Sequence, residues 1–84
     1  MKVSVYDTYV PKKNNLMHFD ILVEEKDTLD NVYKYGKEYL KNKGLDNYKL
    51  STKECNFCHI EAAPEHVEKE IKEKGYYIIE MENC

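Results

Sequence analysis

Residues capable of metal, redox or acid–base chemistry crowd one short stretch, Glu54-Cys55-Asn56-Phe57-Cys58-His59. A Cys-x-x-Cys turn lets two thiolates meet one tetrahedral ion with little strain, and zinc at about 2.3 Å from sulfur is its usual occupant. One pair supplies two ligands, which leaves Cys84 and a histidine to complete four. The expected metal set is therefore Cys55, Cys58, Cys84 and His59, with His66 as the alternative fourth ligand and zinc in a structural role. His59 directly follows Cys58, so joint ligation strains the backbone, whereas His66 is freer but falls on a helix. Three other readings use the same residues. The cysteines can be small apolar fillers beside Phe57. They can form a redox-active dithiol if a helix N-terminus lowers a thiol pKa, although Pro64 sets that helix several residues beyond Cys58. The string Cys-Asn-Phe-Cys-His also spells the covalent haem-attachment pattern, whose chemistry needs export and a haem pocket.

His18 and Asp20 form the second group. They lie two apart in an alternating run and so point to one side of a strand, beside Tyr6 or Thr8 of the paired strand. A carboxylate orienting an imidazole is an ingredient of acid–base catalysis, which makes these two the catalytic candidates. No Ser or Cys nucleophile stands evidently beside them, a polar strand surface accounts for them equally, and the balance favours a non-enzymatic domain.

The elements that must position these groups follow from periodicity. Lys2–Val10 alternates, with Val3, Val5 and Tyr9 on one side; Leu16–Glu24 alternates again, with Met17, Phe19, Ile21 and Val23 sharing a face. Pro11 through Asn15 is turn chemistry, so the two strands form an antiparallel hairpin. Asp27 is a good N-cap for a helix carrying Leu29, Val32, Tyr33, Gly36, Tyr39 and Leu40 as one apolar stripe, and Gly44 is its natural stop. Gly36 within that stripe suits close helix–sheet approach. Tyr48–Thr52 reads as a short third strand and 54–59 as irregular. Pro64 opens a second helix with Val67 and Ile71 inward and Glu68/Lys72 and Glu70/Lys74 outward; Gly75 ends it. Tyr76–Met81 is the fourth strand.

The order β-β-α-β-α-β predicts an α+β domain spanning residues 1–84: a four-stranded mixed sheet with both helices on one face. Right-handed crossovers would make strands two, three and four parallel. Cys55, Cys58 and Cys84 would then converge at one end of the sheet, with His18 on the order of 20 Å away at the other. The bare second face, with Ser4, Tyr6, Thr8, His18, Asp20 and Leu22, is a surface for a homodimer or another protein partner.

Composition narrows the partners. The chain has 84 residues and a net charge of −3, and all 13 of its cations are Lys. An acidic balance without Arg argues against nucleic acid. No apolar run approaches the ~20 residues needed to span a bilayer, so no membrane partner is expected. Three cysteines suit a disulfide framework badly, and Met1-Lys2-Val3-Ser4 passes straight into a strand pattern; the expectation is a cytoplasmic chain with reduced thiols.

Four blocks taken together resemble a known family: Val5-Tyr6-Asp7-Thr8-Tyr9-Val10, Met17-His18-Phe19-Asp20, Glu54 through His59, and Gly75-Tyr76-Tyr77-Ile78 through Met81-Glu82-Asn83-Cys84. They resemble the DUF2024 family of small bacterial proteins of unknown function, over essentially the whole chain. The resemblance implies a stand-alone bacterial domain without an assigned activity. It directs attention to His18, Asp20, Cys55, Cys58, His59 and Cys84, and favours His59 over His66 as a site member.

Overall fold

A computed structural model describes residues 1–45 and 47–84. Strands β1 (Lys2–Pro11) and β2 (Leu16–Glu24) form the expected hairpin. Its loop closes on a bond from Lys12 N to Asn15 O of 2.8 Å, which sets a register running from Pro11↔Leu16 to Val3↔Glu24. Helix α1 (Leu29–Asn42) follows, then a 3₁₀ turn (Thr52–Glu54), strand β3 (Cys55–Ala62), helix α2 (Glu65–Lys74) and strand β4 (Tyr76–Glu82). The protein is α+β with the strand and helix order read from the sequence. No helix among the described residues is long and apolar enough to cross a membrane.

Sheet topology departs from expectation. The order is β3-β1-β2-β4 and every neighbouring pair is antiparallel, so the sheet is not mixed. β3 runs in the same direction as β2, as a crossover requires, but it docks beyond β1. β4 returns against β2. Chain ends explain the reversal: β3 stops with Ala62 beside Lys2, and β4 starts with Tyr76 beside Val23, at the same end of the sheet. α2 therefore has to bridge the width of the sheet at that end. Its 10 residues span about 15 Å, which matches the roughly 14 Å of three strand spacings.

The helices lie on opposite faces, not on one. Val32 and Leu40 of α1 pack with Val10, Met17, Phe19, Ile21, Val23, Leu50, Cys55 and Tyr76. Val67 and Ile71 of α2 pack with Val3, Val5 and Leu22, on the side that strand alternation turns away from Ile21 and Val23. Ser4, Tyr6 and Thr8 thus belong to the α1 side and His18, Asp20 and Leu22 to the other, so these residues do not share one face. α2 covers only one end of its face.

Local chemistry accounts for the boundaries. Thr28, one residue after the expected Asp27, is the α1 N-cap, and its side chain accepts from Asn31 N. Asp27 Oδ1 instead braces Thr28 N and Asn31 Nδ2. At Gly36 a Cβ would stand 2.7 Å from Leu50 Cδ2, so this glycine does serve close approach. Leu50 is buried, yet its neighbours pair with no strand; Ser51 and Glu54 cap the 3₁₀ turn instead. The third strand begins only at Cys55.

Candidate metal centre on the uncovered sheet face

The hairpin register decides which side chains meet. With Pro11 opposite Leu16, Asp7 stands opposite Asp20 and Tyr9 opposite His18, all on the α2 side but beyond the helix. His18 and Asp20 therefore sit with Asp7 and Tyr9 rather than with Tyr6 or Thr8. His18 Nε2 lies 3.4 Å from Asp20 Oδ1 and 3.7 Å from Asp7 Oδ1. The Tyr9 ring stacks on the imidazole at 4.3 Å between centroids and 12° between planes, fixing its orientation.

This group is electrostatically unsettled. Like charges placed directly opposite in a sheet repel. Burial first, and then Asp7, push the Asp20 carboxyl up to about 6, with His18 pulling the other way. His18 Nε2 and Asp20 Oδ1 are both buried without a hydrogen-bond partner. Leaving such an atom unpaired costs on the order of 1–3 kcal/mol. A donor from each of Asp7, His18 and Asp20 falls within 4.8 Å of the others, and among the described residues no other trio of His, Cys, Asp or Glu is gathered in this way.

The expected cysteine set is not gathered. β3 lays the Cys-x-x-Cys segment out along a strand, not a turn. Cys55 pairs with Thr8 and packs in the α1 core, where burial pushes its thiol up. Cys58 is exposed on the opposite side of the sheet, where desolvation and then Asp7, Asp20 and Glu61 push its thiol up. The two sulfurs cannot share an ion or act as one dithiol across a sheet, and neither has the lowered pKa that redox reading required. His59 Nδ1 approaches Cys58 Sγ at 3.2 Å. Because β4 is antiparallel to β2, Cys84 lies just beyond the end of that edge strand, at the far edge of the sheet from β3, and its Sγ donates to His18 O at 3.2 Å. His18 is thus beside Cys84, not a sheet length from it. His66 stands on α2 edge-on to the Tyr77 ring.

The sequence model of a family described as a domain of unknown function, DUF2024, matches residues 1–81. The chain belongs to the DUF2024 family. It is also similar to a protein from Nitrosomonas europaea whose NMR structure was solved as a structural-genomics target. The two share 39% identity over 100% of this chain and 99% of that one, with a TM-score of 0.89. No curated protein matches the chain. The family relationship carries no activity with it.

Two of the three clustered residues, His18 and Asp20, were legible as a pair from their two-residue spacing. Asp7 was not. The signal that finds it is loop length: a four-residue loop over 12–15 forces Asp7 opposite Asp20, whereas neighbouring lengths move Thr8 or Tyr6 into that place.

Proposed function

We propose that this domain binds one divalent transition-metal ion through Asp7, His18 and Asp20. The observation that carries the reading is the pair of buried, unpartnered atoms, His18 Nε2 and Asp20 Oδ1, within 4.8 Å of an Asp7 oxygen. Two carboxylates and one imidazole suit Zn²⁺, Mn²⁺ or Fe²⁺ rather than a thiophilic ion such as Cu⁺. An ion there neutralises the Asp7–Asp20 repulsion and gives both orphaned atoms a partner. The group lies on the part of the face that α2 leaves uncovered, and an ion held there would supply Lewis-acid chemistry towards a water or substrate oxygen. Zinc remains among the candidate ions; the ligand set moves from the cysteines to the sheet face.

Titrating tag-free, chelator-treated protein with Zn²⁺ and Mn²⁺ in a calorimeter tests this. One ion per chain is expected, with affinity at least about a hundredfold lower in His18→Ala and Asp20→Asn. Equal binding by wild type and both variants would overturn it.

A further inference from the structure

We propose that β3 pairs edge to edge with β3 of a second copy of this chain, about a two-fold axis, joining two four-stranded sheets into one. The pairing does not involve Asp7, His18 or Asp20. β3 is an edge strand, and every residue from Asn56 to Ala62 is exposed. An edge leaves a row of backbone N–H and C=O groups unpaired, and natural edges are guarded with Lys, Pro or other charge. β4, the other edge, has Glu80 and Glu82 among its last three residues. β3 contains neither Lys nor Pro, and its Phe57 and Ile60 are 56% and 45% exposed. These two stand opposite Tyr6 and Ser4, so they share the α1 side of the sheet.

A register shift selects the partner. Tyr6 pairs with Phe57 and Val5 with His59, so Cys58 is an extra residue bulged out of the β1–β3 ladder. Cys58 alternates from Phe57 onto the α2 side, and His59, opposite Val5, lies on that side too. Writing a for the α1 side and b for the α2 side, Cys55–Ala62 reads a-b-a-b-b-a-b-a, the same in both directions. Residues directly opposite in an antiparallel pair point to one side of the sheet. A strand of unbroken alternation loses phase with β3 at the step from Cys58 to His59. A second copy, reversed by a two-fold axis through that step, stays in phase along all 8 residues. In that register Phe57 faces Ile60 of the partner subunit and Ile60 faces the partner's Phe57, so the exposed apolar side chains cover each other twice. Asn56, a donor, faces the partner's Glu61. An isologous contact of this kind closes on itself and stops at a dimer.

Sedimentation velocity and oxidative crosslinking test this. Wild type is expected as a dimer at millimolar concentration that dissociates on dilution. Ile60→Lys sets a charge against Phe57 at both symmetry-related positions and should weaken association at least about tenfold. Phe57→Lys repeats the test from the other half of the pair. Cys58 would stand beside the partner's Cys58 across the axis, about 6 Å apart at Cα and within disulfide reach. Diamide takes up the two electrons and two protons that two thiols release on forming a disulfide. Where wild type is dimeric, it should link wild type and Cys84→Ser into covalent dimers and leave Cys58→Ser and Ile60→Lys unlinked. A wild type that stays monomeric at millimolar concentration, a dimer unchanged by both Lys substitutions, or a crosslink that needs Cys84 and not Cys58 would overturn the edge pairing. Far-ultraviolet circular dichroism checks that each variant is folded.

Discussion

Asp20 carries a charge that the fold disfavours. Its carboxyl is raised from 3.8 to about 6, so the folded chain holds a proton that the unfolded chain has already released. The group's contribution is fully present below pH 3.8 and is lost as pH rises through about 6. Metal-free protein should therefore lose on the order of 2 kcal/mol from this residue across that window. Asp20→Asn keeps the shape and removes the charge. Urea denaturation of metal-free samples at a series of pH values should show the variant more stable than wild type at pH 7 by about that amount, and the difference should fade towards pH 4. A variant no more stable at neutral pH would show that Asp20 is settled without an ion. His18 and Asp20 are visible in the sequence because alternation puts them on one side. Cys58 was read from the sequence as half of a pair with Cys55, because Cys-x-x-Cys on a turn brings sulfurs together, whereas the same letters along a strand drive them apart.

Elements with regular periods were legible, and those that break period were not. The hairpin, both helices and β4 follow from repeats of two or about 3.6 residues. β3 escaped because it is an edge strand with an exposed Asn-Phe-Cys-His-Ile-Glu composition whose alternation the Cys58 bulge interrupts. The segment before it alternates well, but its Leu50 is buried under α1 without ladder bonds. Gly75 shows what an element end demands. It stops α2 with φ 97° and an N–H bonded to Ile71 O at 2.8 Å, and a Cβ there would fall 2.6 Å from the Tyr35 hydroxyl. Tyr35 in turn stacks on Tyr76 at 4.8 Å, so it has little room to yield. Gly75→Ala should lower unfolding free energy by about 2–4 kcal/mol, combining left-handed strain with overpacking. Chemical denaturation checks this, and a loss below ~0.5 kcal/mol would contradict it.

At the scale of the whole molecule, placement of the Asp7, His18 and Asp20 group follows from how the chain crosses its own sheet. α1 joins opposite ends of the sheet and covers one face along its length, burying Val10 through Val23. α2 joins strand ends lying at the same end and covers only Val3, Val5 and Leu22. The bare remainder of that face is where Asp7, Tyr9, His18 and Asp20 stand. Sequence reasoning reached the element order but assigned β4 the wrong direction, because the crossover rule governs parallel strands and α2 connects antiparallel ones. That single reversal moves Cys84 from the expected cysteine cluster to the backbone of His18. It also replaces a site at one end of a mixed sheet with one on the open half of an antiparallel face.

The most direct test of the centre compares thermal melts of wild type and Asp20→Asn at pH 7, each with chelator and with Zn²⁺ at about 100 times the dissociation constant, where binding adds roughly 2.7 kcal/mol. The prediction is a reversal of order. With chelator the variant melts higher; with zinc the wild type gains about 10–20 °C and overtakes it, while the variant barely moves. Equal zinc shifts in both proteins, or none in wild type, would contradict the account.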